Sequence, residues 1–251
     1  MLHSAIAKTA DCRLKSINLQ SEICNFMRKP IVSIDGPSGA GKGTVAREIA
    51  AALGYRHIDS GAMYRAVGWK ALREGVPLDD EAAVAELTAR SRIEVESARV
   101  AVDAVDVTRA IRTPEIDRAA AAVARLPSVR ALLVDRQRQL GAAGGVVMEG
   151  RDIGTVVFPN ATVKIYLDAS PDERARRRAV DPAHSGGPAA LADVATLLTE
   201  RDRLDSTRPA SPLYAAPDAI VIDTTTKPVA EVVAEVLDVI RRTLQTHPFE
   251  P

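Results

Sequence analysis

A glycine-rich segment that carries one lysine is the clearest chemical signal in this sequence. It lies between a short apolar run at 31–35 and a segment in which Val45, Ile49 and Leu53 recur at helical spacing. Glycines let the backbone bend around an anion with its N–H groups pointing inward, and a helix N-terminus adds partial positive charge. The lysine adds a full charge that can reach the β- and γ-phosphates of a nucleotide. We therefore predict a loop that binds the phosphates of ATP, formed by Gly36, Pro37, Ser38, Gly39, Ala40, Gly41, Lys42, Gly43 and Thr44.

One position of this loop departs from the general pattern. The usual loop has serine or threonine directly after the lysine, whereas here Gly43 stands at that position and Thr44 follows. The order Gly-Lys-Gly-Thr resembles the variant in nucleoside monophosphate kinases and argues against the usual GTPase or ATPase loop. A serine-hydrolase motif is also excluded, because the segment around Ser38 lacks the final glycine of G-x-S-x-G.

A kinase for a small acceptor needs a second anion site that faces the first. Three arginine-bearing segments, 59–65, 149–152 and 201–208, are predicted at the carboxyl ends of strands, where α/β proteins bind ligands. Each segment pairs cations with carboxylates. One such pair alone would be an ordinary surface ion pair, but three of them beside a phosphate loop indicate a binding site.

The elements that position these residues alternate between strands and helices. Short, mostly apolar runs predict five buried strands at 31–35, 56–59, 146–149, 163–168 and 219–223. Helical spacing follows several of them, most clearly over 229–240. Buried strands that alternate with helices predict an α/β fold, in which helices flank a five-stranded parallel sheet. Between 78 and 113 this pattern breaks, and the segments 93–96 and 100–107 alternate at period two, which predicts a small β-containing insertion. Residues 181–190 are expected to form a mobile loop between two helices.

Composition limits the class of protein. The 251 residues are 46% hydrophobic and 26% charged, with 33 basic and 33 acidic side chains, so the net charge is zero and gives no support to nucleic-acid binding. No uncharged run exceeds eleven residues, so no transmembrane helix is expected. Both cysteines, Cys12 and Cys24, lie in the first 29 residues. We expect this leader to lie outside the fold, either disordered or untranslated with Met27 as the true start, and we expect a cytoplasmic protein.

From about residue 30 to 245 the chain resembles bacterial cytidylate kinases. The resemblance rests on the segments 35–44, 59–65, 150–159 and 167–170, which are specific for that family. It implies a P-loop kinase fold and a single kinase domain over 30–247. Within that domain it implies a core (30–77, 114–170, 209–247), a nucleoside monophosphate-binding insertion (78–113) and a short helical lid (171–208).

The resemblance also implies roles for individual residues. Ser60, Tyr64 and Arg65 would line the monophosphate pocket, and Arg130 and Asp152 would read the cytosine edge. The acceptor phosphate would be bound by Arg65, Arg151 and Arg208, with Arg201 nearby. Asp205 would bind the sugar hydroxyl, and Arg177 would reach from the lid to the ATP phosphates. The expected catalytic set is Lys42, Arg151, Arg208 and Arg177.

These roles imply transfer of the γ-phosphoryl group of ATP to CMP or dCMP, with Mg²⁺ bridging the β- and γ-oxygens. No metal ligand can be assigned from the sequence, although Thr44 is a candidate. Asp152 would accept a hydrogen bond from the cytosine amine and repel the uracil oxygen. Relatives often have a serine nine residues before the base-reading arginine, and this chain has Ala121 there. Nucleotides are the expected partners of a monomer, with no nucleic acid and no membrane.

Two alternatives stay open at this stage. The first is a P-loop kinase for another small acceptor, such as UMP, AMP or a shikimate-like molecule, and Asp152 and Arg130 are the residues that would discriminate. The second is a P-loop switch or ATPase, against which the zero net charge and Gly43 both count.

Overall fold

The computed structural model describes residues 29–180, 191–208 and 210–246. The predictions of a leader outside the fold and of a mobile loop at 181–190 concern residues outside these ranges, apart from Lys29. None of the described helices combines the length and apolar character that crossing a membrane requires.

The core is one parallel sheet of five strands, in the spatial order β2-β6-β1-β7-β8. Their bounds are Ile31–Asp35 for β1, Arg56–Asp59 for β2, Val146–Gly150 for β6, Val163–Asp168 for β7 and Ile220–Asp223 for β8. Both neighbours of β1 run parallel to it. The predicted α/β class and five-stranded parallel sheet are therefore confirmed. This order places the carboxyl end of β1 between those of β6 and β7. It is a topological switch point, because β2 and β6 lie on one side of β1 and the later strands β7 and β8 lie on the other.

Helices α1 (Lys42–Leu53) and α8 (Val229–Thr246) pack with the sheet in one hydrophobic cluster. Val32, Ile34 and Ile165 of the sheet are almost fully buried in this cluster. Helix α1 ends at Gly54, whose φ of 66° is the left-handed conformation that glycine adopts without a steric penalty. This packing fixes the first helix, and therefore the loop that precedes it, against the centre of the sheet.

The opposite side of the sheet carries a second group of elements between β2 and β6. In chain order they are α2 (Ser60–Glu74), α3 (Glu81–Arg90), β3 (Ile93–Val95), β4 (Val100–Val102), β5 (Val105–Asp106), α4 (Pro114–Val123) and α5 (Pro127–Gly141). The three strands form a small antiparallel sheet. The period-two pattern of the sequence thus marks real strands, but the helix α3 within 78–113 was not predicted.

Helices α6 (Pro171–Ala179) and α7 (Leu191–Thr207) pack against each other within the segment predicted as a lid. Between β6 and β7 the chain makes a short π-helical turn, Ile153–Val157. The buried carboxylate of Asp35, at the end of β1, accepts hydrogen bonds from the backbone N–H groups of Ile153 and Gly154 at 2.8 and 2.7 Å. Asp35 therefore fixes the backbone that directly follows Arg151 and Asp152.

Candidate active site

The glycine-rich loop joins β1 to α1, as predicted, and its backbone conformation requires glycine. Gly36 has a φ of 143°, and a Cβ there would lie 2.0 Å from the carbonyl oxygen of Leu167. Gly41, with a φ of 89°, precedes the first residue of α1 and makes no side-chain cap. The N-terminus of α1 thus faces the space above the loop with its N–H groups available to an anion.

Lys42 is the first residue of α1, at the end of the loop, and is 6% exposed. Its Nζ donates a hydrogen bond to the carbonyl oxygen of Pro37 at 2.7 Å. Burial, followed by the positive charge of Arg151, lowers the pKa of Lys42 to about 7. Phosphate groups beside this amine would favour its charged form.

Glu149 lies against the glycine that follows the lysine. A Cβ at Gly43 would lie 3.1 Å from Glu149 Oε1, which is closer than about nine in ten real Cβ contacts, so the Glu149 side chain would have to shift. The same Oε1 is 3.1 Å from His57 Nε2, and both side chains are buried. Glu149 belongs to a segment that the sequence analysis selected, but it was assigned no role there.

The carboxyl end of β6 carries a network of buried charges. Asp152 forms an ion pair with Arg130, and its Oδ1 is 3.9 Å from Nη2 of Arg208. Arg151 Nε donates to Asp205 Oδ2 at 3.0 Å, and Arg208 Nη1 is 3.5 Å from Asp205 Oδ1. Three arginines of the predicted acceptor site, Arg130, Arg151 and Arg208, are thus held by two carboxylates of the same site, Asp152 and Asp205.

Tyr64 and Arg130 lie on the same side of this network. The Arg130 guanidinium carbon is 5.4 Å from the centre of the Tyr64 ring, a distance at which a cation and an aromatic face attract. Burial raises the pKa of Tyr64 to about 12, so its hydroxyl stays neutral in any physiological buffer. Ser60 donates a hydrogen bond to the carbonyl oxygen of Glu149 at 2.7 Å and so ties α2 to β6.

Among the four arginines predicted to lie at the acceptor phosphate, two N–H groups are buried and have no hydrogen-bond acceptor within the described residues. They are Nε of Arg201 and Nη2 of Arg208. Burial, followed by the charges of Arg151 and Arg65, lowers the pKa of Arg201 to about 10, so it remains charged at neutral pH. A buried donor without a partner is costly, and an anion bound here would supply the missing acceptors.

On the donor side, Arg177 of α6 reaches back toward the loop. It donates to Glu173 Oε1 at 2.8 Å, to Thr224 Oγ1 at 2.9 Å and to the Thr224 carbonyl at 2.6 Å. Its Nη1 is also 3.7 Å from the position that a Cβ of Gly41 would occupy. The guanidinium therefore lies beside the phosphate loop.

These groups line one cavity of about 770 Å³. The predicted residues on its wall are Ser38, Gly39, Ala40, Gly41, Lys42, Gly43, Thr44, Ser60, Tyr64, Arg65, Arg151, Asp152, Arg177, Arg201, Asp205 and Arg208. Three predicted residues do not reach the wall. Gly36 faces the backbone of β7, Pro37 gives its carbonyl to Lys42, and Arg130 is buried and pairs with Asp152.

The wall also contains residues that sequence reasoning missed. They are mainly Arg47, Arg112, Glu149, Arg176, Arg178 and the segment 227–229 with Val232. Arg112, for example, donates to the Asp59 carboxylate at 3.1 Å, across 53 positions of sequence. None of these residues belongs to a motif with a known phosphate-binding spacing, so the signal that finds them is proximity in the folded chain.

Comparison with known proteins identifies the family. The family model described as cytidylate kinase matches residues 32–242, which is most of the chain. The chain belongs to the cytidylate kinase family. It is 49% identical over 209 residues to the cytidylate kinase of Pelotomaculum thermopropionicum, covering 81% of this chain and 92% of that one. It is 46% identical over 216 residues to the cytidylate kinase of Solibacter usitatus, covering 85% and 93%.

The chain also matches part of a longer protein. A bifunctional pantoate ligase/cytidylate kinase of Synechococcus sp. is 45% identical over 225 residues, covering 87% of this chain and 42% of that protein. The family resemblance stated from the sequence is therefore confirmed, and with it the assignment of the chain as a kinase.

Proposed function

We propose that this protein transfers the γ-phosphoryl group of ATP to the phosphate of CMP or dCMP and releases ADP. The observation that carries the proposal is a single cavity with a phosphate loop on one wall and buried arginines on another. Membership of the cytidylate kinase family supports a cytidine nucleotide as the acceptor and makes the two alternatives less attractive.

The donor side binds the triphosphate. The loop amides and the N-terminus of α1 would surround the phosphates, and Lys42 would place its charge on the β- and γ-oxygens. Arg177, which already lies beside Gly41, would neutralise charge on the transferred group from the lid side. Catalysis would consist of positioning and charge neutralisation, because the acceptor phosphate is already an anion and needs no strong general base.

The acceptor side would hold the monophosphate. The unpartnered donors of Arg201 and Arg208, together with Arg65 and Arg151, would grip its phosphate. Asp152, with Arg130 behind it, would accept from the cytosine amine, and Asp205 would bind the sugar hydroxyl. Ser60 and Tyr64 would complete the pocket wall, and Ala121, also on the wall, leaves open a contact that a serine would make.

Kinases of this family are expected to use Mg²⁺ with ATP. Among the described residues, no group of three or more metal-ligating side chains is close enough to bind a metal by itself. Mg²⁺ is usually held by one or two carboxylates, waters and substrate phosphates. Glu149 and Thr44, both on the cavity wall, are the residues that would hold it. When bound, the ion would neutralise charge on the β- and γ-phosphates.

A panel of acceptors tests this function. ADP release would be measured by a coupled assay with CMP, dCMP, UMP, AMP and shikimate at equal concentrations. We expect CMP and dCMP to give values of kcat/KM about tenfold or more above the rest, since a mismatched buried polar group costs ~1–3 kcal/mol. Equal or higher activity with any other acceptor would overturn the proposal.

We further propose that the protein is a monomer. We also propose that it lies in the cytoplasm, in keeping with a body that contains no cysteine after residue 24.

A further inference from the structure

A carboxylate outside the predicted site lies where the acceptor pocket meets the lid. Asp117 belongs to the first turn of α4, and its side chain is 13% exposed. Its Oδ1 accepts a hydrogen bond from Arg65 Nε at 2.9 Å and is 3.9 Å from Nη1 of Arg201. Its Oδ2 accepts from Nη2 of Arg178. Among the described residues, one carboxylate thus meets guanidinium groups from α2, α6 and α7.

The electrostatics of this contact keep Asp117 charged. Burial raises its pKa, but Arg65, Arg178 and Arg201 outweigh burial and lower the pKa to about 2. Arg65 in turn has its pKa raised by Asp117 and Asp59 despite its burial. Without the carboxylate, three positive groups would stand close together and repel one another.

Each contact has a consequence for one part of the site. Arg65 uses its Nε for Asp117, so its outer nitrogens remain for a ligand on the cavity wall. Arg178 is the neighbour of Arg177 on α6, so an anchor at Arg178 also orients the guanidinium that lies beside the phosphate loop. Arg201 comes from the second lid helix and carries one of the unpartnered donors.

We propose that Asp117 is a positioning residue that links the acceptor arginine Arg65 to the lid arginines Arg178 and Arg201. The carboxylate holds the lid helix α6 and the acceptor pocket in one arrangement before nucleotide binds. The two ends of the site are therefore coupled through a group that touches neither substrate. This inference rests on the proposed function, because it assigns these arginines to the two phosphate-binding ends.

The test begins in the nucleotide-free protein. Hydrogen exchange of the backbone of α6 is compared between wild type and Asp117→Ala, with Asp117→Asn as a second variant that preserves the side-chain shape. Because Arg178 would lose its ion pair with Asp117, we expect α6 to exchange about tenfold faster or more in Asp117→Ala. This readout needs no substrate, so it is independent of whether CMP is the acceptor.

The second part is kinetic. We expect Asp117→Ala to lower kcat/KM for CMP about tenfold or more, as removal of one member of a buried charge pair does. Formate should bind among the three arginines in the missing carboxylate's place and restore part of this loss, while it should not activate wild type. Arg178→Ala combined with Asp117→Ala should cost less than the product of the two single losses.

The matched control is Glu200→Gln, which removes a carboxylate from an exposed ion pair with Arg203 on the same lid helix as Arg201. We expect it to leave kcat/KM within about twofold of wild type. Where wild type phosphorylates CMP, faster exchange of α6, rescue by formate and non-additivity with Arg178→Ala must all be seen for Asp117→Ala, and the absence of any one overturns the inference. If wild type fails to phosphorylate CMP while α6 still responds to Asp117→Ala, the proposed acceptor is wrong and the link to the lid stands.

Discussion

Replacing Asp152 by asparagine should change the choice between cytosine and uracil. The Asp152 side chain is 6% exposed, forms an ion pair with Arg130 and lies 3.9 Å from a nitrogen of Arg208. As a carboxylate it only accepts hydrogen bonds, which matches the cytosine amine and repels the uracil carbonyl. Asparagine has both a donor and an acceptor, so it can pair with either base.

The size of the effect follows from burial. An unpaired buried polar group costs ~1–3 kcal/mol, which corresponds to roughly five- to hundredfold in kcat/KM. We therefore expect the ratio of kcat/KM for CMP to that for UMP to fall by about tenfold or more in Asp152→Asn. Activity with CMP itself should also fall, because Arg130 loses its buried partner. Breaking such a pair costs ~3–5 kcal/mol of unfolding free energy, so assays belong well below the melting temperature of the variant.

The measurement is ADP release with CMP and with UMP, for wild type and variant at equal ATP. Asp218→Asn is the matched control, because it neutralises a carboxylate that is 65% exposed and pairs with Lys164 away from the cavity. The control should keep both the rate and the ratio of the wild type. A variant Asp152→Asn that folds and keeps the wild-type CMP/UMP ratio within twofold would refute the assignment of Asp152 as the base reader.

Three further predictions concern the phosphate loop. Lys42→Ala should lower kcat by about a hundredfold or more, which is a typical loss for one transition-state contact. Its circular dichroism spectrum should be unchanged. Near-normal turnover would show that the loop takes no part in catalysis. Because the pKa of Lys42 is lowered to about 7, the amine loses its proton as the pH rises above 7. ATP binding should therefore be accompanied by proton uptake, and ATP affinity should fall between about pH 7 and 9. Calorimetry in buffers of different ionisation enthalpy measures this uptake. Finding none would show that Lys42 stays charged in the free protein. Gly43→Ser should lower kcat about tenfold because the new side chain displaces Glu149. Urea unfolding should show a loss of ~1–3 kcal/mol in the free energy of unfolding. An unchanged kcat would show that Glu149 has room to move.

The sheet could be predicted from the sequence because its central strands are buried on both faces, although the edge strand β8 is largely exposed. In 146–150, for example, three consecutive apolar residues are followed by Glu149 and Gly150, which is the signal of a parallel strand. The order of the strands could not be predicted in this way. It depends on which strands pair across the sheet, as β1 does with β6 more than a hundred residues later.

The insertion shows where a periodic pattern misleads. The sequence analysis predicts one alternating run over 100–107, yet its valines shift from even to odd positions between Val102 and Val105, and the structure divides the run there into β4 and β5. The turn between them falls on Asp103 and Ala104, which have positive φ values of 50° and 68°. In a two-residue turn the residues on either side pair with each other, here Val102 with Val105, so side chains three positions apart share a face and the period-two pattern shifts by one position.

Some parts of the candidate site are encoded within one segment of sequence, and others depend on contacts between distant segments. The phosphate loop is a continuous segment, so its residue types and spacing were sufficient to predict it. Asp117 and its partners Arg65 and Arg178 are separated by 52 and 61 positions. Their meeting depends on how α2, α4 and α6 pack, which no spacing rule within one segment can report.

The most direct measurement is a crystal structure of the protein with CMP and a non-hydrolysable ATP analogue. We expect the terminal phosphate of the analogue to lie against Lys42 and the loop amides. We expect the CMP phosphate to lie among Arg65, Arg151, Arg201 and Arg208, with the cytosine amine at Asp152. A CMP molecule bound away from these residues, or one that turns its base toward the arginines, would contradict these expectations.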